Sequence, residues 1–161
     1  MRRLLLPVLS VALVAAATAF TSPAALKWPP WLSIEAPVNP FDPGARGALM
    51  LVHVSFRDGE AHLADLTGTA EGIVAGARRS VPLRFSETGR ANTFALARQW
   101  PAEGRWLVRL SVRETTALVM LDRDGQVASV RVPVKRSGGL DLPRAVSAHE
   151  IDSTLAVAAS R

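Results

Sequence analysis

The sequence predicts an all-β chain folded as an antiparallel sandwich of about seven to eight short strands. Three observations carry that expectation. Apolar and polar residues alternate over several segments, breaker-rich turns separate those segments at roughly eight to fifteen residues, and 161 residues suffice for one core and little more. Helical signals are confined to the two ends.

The first element is a leader. Arg2 and Arg3 precede an apolar run over 4–17, and Ala17-Thr18-Ala19 places small residues where a signal peptidase reads. A signal helix cleaved after Ala19 is expected, making 1–19 a signal peptide and the mature chain periplasmic or extracellular. The alternative is an uncleaved segment that anchors the chain, the one membrane contact the sequence offers. The run is short for a span and contains Pro7. Residues 20–31 read as a linker in which Trp28 and Trp31 flank Pro29-Pro30 in extended, polyproline-like chain. The two indoles either meet a partner as an aromatic strip or lie along the sandwich as a lid. The lid is favoured, because exposed indoles are costly.

The sandwich is expected over 32–135. A first strand fits 32–36, and Pro37, Pro40, Pro43 and Gly44 then force a long turn. Over 48–56, Met50, Val52, Val54 and Phe56 form one apolar face. Asp58-Gly59 supplies the positive φ of a tight hairpin. In 65–74, Gly68, Ala70 and Gly72 fall at every second position, a small-residue face that implies close approach of another element. A turn is expected at Gly76-Ala77-Arg78-Arg79, and a short edge-like strand around Val81, Leu83 and Phe85, since Pro82 cannot donate. After Gly89, a strand carries Phe94 and Leu96. The clearest alternation follows: Trp106, Val108, Leu110 and Val112 on one face, with Arg105, Arg109, Ser111 and Arg113 on the other. An apolar run over 118–121, a turn at Asp122-Arg123-Asp124-Gly125, and Ala128, Val130, Val132 and Val134 alternating with polar residues complete the set.

Beyond Lys135, Ser137-Gly138-Gly139 breaks the pattern, and 136–161 is expected as a flexible tail. Within it, Ser147 stands three residues before Glu150, a capping-box signature for a short helix over 148–159. Ile151, Leu155 and Ala158 share one face of that helix and would dock on the sandwich or on a partner.

Charge excludes little but qualifies much. The isoelectric point near 11.2 reflects the absence of Tyr and Cys as much as the net charge of +5. All but two of the 19 basic residues are arginine, scattered along the chain, so no nucleic-acid interface is expected. Without cysteine there is no disulfide framework, and stability rests on packing.

Val54-Ser55-Phe56-Arg57-Asp58-Gly59, the small-residue strand after it, Phe94-Ala95-Leu96 and Glu103-Gly104-Arg105-Trp106-Leu107-Val108 together resemble exported immunoglobulin-like modules, closest in layout to the YtkA-like and FixH-like domains. The resemblance covers about 37–134 and implies an immunoglobulin-like sandwich. Related copper-binding sandwiches display His and Met ligands near the mature N-terminus, whereas this chain has neither between Phe20 and Met50.

The chemistry-bearing residues are few. His53 and His62 would be diagonal neighbours across the Asp58-Gly59 hairpin, with Asp65 nearby, a donor set suited to zinc or copper. The plainer reading is two unrelated surface imidazoles. No Gly-x-Ser-x-Gly elbow or phosphate-cradling glycine loop occurs, and the acidic residues sit mostly in turns. Arg105, Arg109 and Arg113 recur every fourth residue and would form an outward cationic stripe, read first as a solvated face and second as a surface for an acidic partner. Trp106 is expected as a core anchor. The function expected is therefore a non-enzymatic exported module without cofactor that either binds an envelope or secreted protein, through Trp28, Trp31 or the arginines, or serves structurally in the cell envelope. A periplasmic copper- or zinc-handling protein using His53 and His62 is the alternative.

Overall fold

The computed structural model describes residues 28–57 and 65–159. The signal segment 1–19, the linker as far as residue 27, the Asp58-Gly59 turn and His62 lie outside the described residues. In chain order the strands are β1 (Trp31–Glu35), β2 (Met50–Ser55), β3 (Leu66–Val74), β4 (Ala77–Pro82), β5 (Ser86–Glu87) and β6 (Thr93–Leu96). After them come β7 (Arg105–Val112), β8 (Thr115–Leu121), β9 (Val127–Arg131), β10 (Val134–Ser137) and β11 (Leu140–Pro143), followed by the helix α1 (Ala148–Ala159). Among the described residues no helix is long and apolar enough to cross a membrane.

Period-two patterning sorts these strands into a sandwich of two antiparallel sheets, one ordered β1-β2-β6-β5 and the other β4-β3-β7-β8-β9, with β10 and β11 forming a separate hairpin. Met50, Val52 and Val54 of β2 face Trp106, Val108, Leu110 and Val112 of β7 in one shared core. Each such side chain taken out of water stabilises the fold by about 1.5–3 kcal/mol. The all-β antiparallel sandwich and the buried Trp106 are as the sequence leads one to expect.

The small-residue face of β3 has a definite cause. Gly72 pairs with Trp106 across the sheet, and the indole lies flat over it, so that a Cβ on Gly72 would stand 2.4 Å from a ring carbon. Trp106 is held there by its indole N–H, which donates to the Glu103 carbonyl at 2.9 Å, and by Trp100, whose ring centre is 6.5 Å away.

Several boundaries differ from expectation. The turn expected at Gly76-Ala77-Arg78-Arg79 is only Ala75-Gly76, both with left-handed φ, which closes the β3–β4 hairpin tightly. Arg78 and Arg79 therefore belong to β4, and Leu83 and Phe85 leave the strand although they still pack on the core. The alternation over 128–135 is not one strand. β9 ends at Arg131, and Pro133, which has no N–H for the ladder, marks the point where the chain departs into β10.

Within the segment expected as a flexible tail with a short helix over 148–159, residues 136–159 complete the β10–β11 hairpin and then form a docked helix. Leu107 and Leu118, on the outer face of the five-stranded sheet, are buried by Ile151 and Leu155 of α1. The capping box forms as the sequence predicts: the Ser147 N–H donates to Glu150 Oε2 at 3.0 Å, and the Glu150 N–H donates to Ser147 Oγ at 3.3 Å. Arg78 of β4 pairs with Asp152, and Arg144 holds Glu150 through both carboxylate oxygens.

The Arg144 guanidinium, then the Ser147 N–H, lower the Glu150 carboxyl from 4.5 to about 2. Because the folded value is the depressed one, this contribution is complete above pH 4.5 and is lost as pH falls through about 2. We expect helical signal and the protection of α1 amides to decline across that acid window, and Glu150→Gln to remove the dependence when followed by circular dichroism.

Candidate partner-binding surface

One end of the sandwich gathers aromatic and arginine side chains from three separate stretches of chain. Trp28 and Trp31 come from the segment entering β1, Phe56 and Arg57 from the end of β2, and Arg113 from the β7–β8 turn. The Arg57 guanidinium lies 5.2 Å from the Trp28 ring centre, and that of Arg113 lies 4.5 Å from the Phe56 ring centre, two cation–π pairs side by side in sequence. Thr115, fully buried, donates its hydroxyl to the Pro30 carbonyl at 2.7 Å. That bond ties the Trp-Pro-Pro-Trp segment to β8.

The lid reading of the two tryptophans is corrected here. Pro30 is buried, whereas Trp28 is 39% and Trp31 46% exposed. Leu32 faces the core and strand alternation turns Trp31 outward, so the segment is anchored by Pro30 and Leu32 and leaves its indoles half in water. The three-arginine stripe is also divided. Arg105 and Arg109 stand half-buried on the outer face of β7, opposite Ile73 and Thr69 of β3. Arg113 lies past the end of that strand with φ +50, and its guanidinium turns to Phe56. Sequence reasoning missed Phe56 and Arg57 as members of the surface. The usable signal was their adjacency at the end of β2, where alternation stops constraining which way a side chain faces.

His53 occupies a different place, on the outer face of the β1-β2-β6-β5 sheet. Its Nε2 is 3.0 Å from Glu35 Oε2, and its Nδ1 is 3.2 Å from Thr93 Oγ1. Arg90 donates to the same Glu35 oxygen and to Asp42, and these two carboxylates push its pKa up, Glu35 first. Thr93, His53 and Glu35 stand in the order of nucleophile, base and orienting carboxylate. The Thr93 hydroxyl, however, is buried and donates to the Ala91 carbonyl at 3.0 Å. The chemistry this arrangement performs is to clamp β1, β2 and β6 together. A metal at either His53 nitrogen would have to displace Glu35 or Thr93. Among the described residues no group of three or more His, Asp or Glu side chains gathers as a metal-binding set.

Comparison of the chain with protein-family models, with curated proteins and with solved structures finds no match.

Proposed function

We propose that this chain is an exported, non-enzymatic immunoglobulin-like module, in the layout of the YtkA-like and FixH-like domains, that binds another protein of the cell envelope or secreted space. The observation that carries the reading is the half-exposed Trp28 and Trp31 beside Arg57 and Arg113. Tryptophan and arginine are the residues that most often dominate protein–protein binding energy, and a rigid aromatic loses little freedom on contact. Here the backbone between the two indoles is tied to β8 by the buried Thr115–Pro30 hydrogen bond. The leader sequence supports export, and the sandwich supplies a stable platform for a surface whose members come from three loops and strand ends.

The test is recovery of the partner from the native envelope by the tagged mature chain, with metal analysis of the same sample. The wild-type chain is expected to retain a stoichiometric protein, and Trp28→Ala/Trp31→Ala to lose it, with a penalty of about 2 kcal/mol or more per hot-spot indole, roughly 30-fold in affinity. Thermal unfolding of the double variant should stay close to wild type, because both side chains are half in water. Stoichiometric copper or zinc without a protein partner would overturn the reading.

A further inference from the structure

We propose that the groove between α1 and the β8–β9 part of the sheet binds a medium-chain aliphatic monocarboxylate, with Arg131 receiving the carboxylate. The site is separate from the aromatic–arginine surface and independent of it.

The groove has a volume of about 400 Å³, within the range of small-molecule sites, and its walls are largely apolar. Leu118 and Met120 form its floor on β8, and Val157, 49% exposed, forms its rim on α1. Two residues that look polar in the sequence contribute apolar atoms. Ser153 Oγ donates to the His149 carbonyl at 2.8 Å and Thr154 Oγ1 to the Glu150 carbonyl at 2.7 Å, so both hydroxyls are satisfied within the helix. An aliphatic chain passing along α1 therefore displaces water from carbon without stripping Ser153 or Thr154 of its partner, and Ser129 supplies the remaining hydroxyl of the lining on β9.

The polar end is asymmetric. Of the two charged groups lining the groove, Glu150 is neutralised by the bidentate Arg144 contact, whereas Arg131 has no ion-pair or hydrogen-bond partner among the described residues. Register places a second guanidinium in the same row: Arg109 and Arg131 flank Leu118 on adjacent strands, their Cα atoms roughly 10 Å apart. An unpaired guanidinium at the edge of an apolar wall is complementary to a carboxylate, which accepts its two parallel N–H groups. Among the described residues Arg131 is the one uncompensated charge lining the groove, and a single guanidinium balances the one negative charge of a carboxylate rather than the two of a phosphate.

Calorimetric titration of the mature chain with decanoate, decanol, decyl phosphate and decyltrimethylammonium tests this, with the methyl resonance of Met120 reporting where the probe sits. Decanoate is expected to bind and shift that methyl, decanol to bind about tenfold more weakly or worse, and the cation not at all. Arg131→Gln should weaken decanoate about tenfold, since the residue lies exposed on an edge strand and its loss leaves the fold intact. Arg79→Gln on the opposite edge removes the same charge and should change nothing. Val157→Asp, which puts a like charge at the rim, should abolish binding. Absence of decanoate binding, equal affinity for decanol, tighter binding of decyl phosphate, an unaffected Arg131→Gln variant, or self-association of the chain that buries the groove would each overturn the proposal.

Discussion

Replacing Trp106 with alanine is expected to destabilise the protein by about 3–5 kcal/mol, the range for emptying a large aromatic site in a closed core. Trp106 is 4% exposed, packs between Trp100 and the bare backbone of Gly72, and when removed leaves the Glu103 carbonyl without the N–H it accepts from. Neighbouring strands cannot collapse into the void, because β7 is paired on both sides, to β3 and to β8. The reciprocal change, Gly72→Ala, drives a methyl into the indole face and should cost about 1–3 kcal/mol through overpacking. Urea midpoints of both single variants and the double variant check this. If the two residues act as one packed unit, Gly72→Ala should cost far less in the Trp106→Ala background than in the wild type.

Leu155→Asp is expected to release α1 from the sheet while the sandwich stays folded. Leu155 and Ile151 are the two buried contacts that hold the helix over Leu107 and Leu118, and a carboxylate at Leu155 would be buried without a partner. A helix of 12 residues gains little from propensity alone in water, so once undocked it melts. Far-ultraviolet circular dichroism should lose its helical component, and amide exchange should accelerate over Ala148–Ala159 without a matching change in the strands. Uniform loss of protection throughout the protein would show that α1 and the sandwich unfold as one unit.

How much of this was legible in the sequence depends on how strongly one face of each element is apolar. β2 and β7 read cleanly because each presents an unbroken row of buried side chains at every second position. α1 read cleanly through Ser147 and Glu150, whose spacing is itself the capping geometry. β4 did not, since at a sheet edge with outward arginines it has no apolar row to reveal it. The β9–β10 boundary was hidden because Val130, Val132 and Val134 keep period two straight through the point where the chain changes sheets. The aromatic–arginine surface was the least legible part. Period-two counting extended β7 through Arg113, but the strand ends at Val112, and the turn that follows sends that side chain to Phe56. Its partners lie far apart in sequence and meet only through the fold.

The departure of the chain from the sheet at Pro133 also bears on how copies of the protein behave when crowded. β9 offers an open ladder only five residues long, and Arg131 closes its end. At the far edge, β4 carries Arg78, Arg79 and Pro82. A neighbouring molecule approaching edge to edge meets a short template, like charges and a missing donor in succession. Edge-to-edge pairing of copies through this sheet is thereby disfavoured at both of its edges.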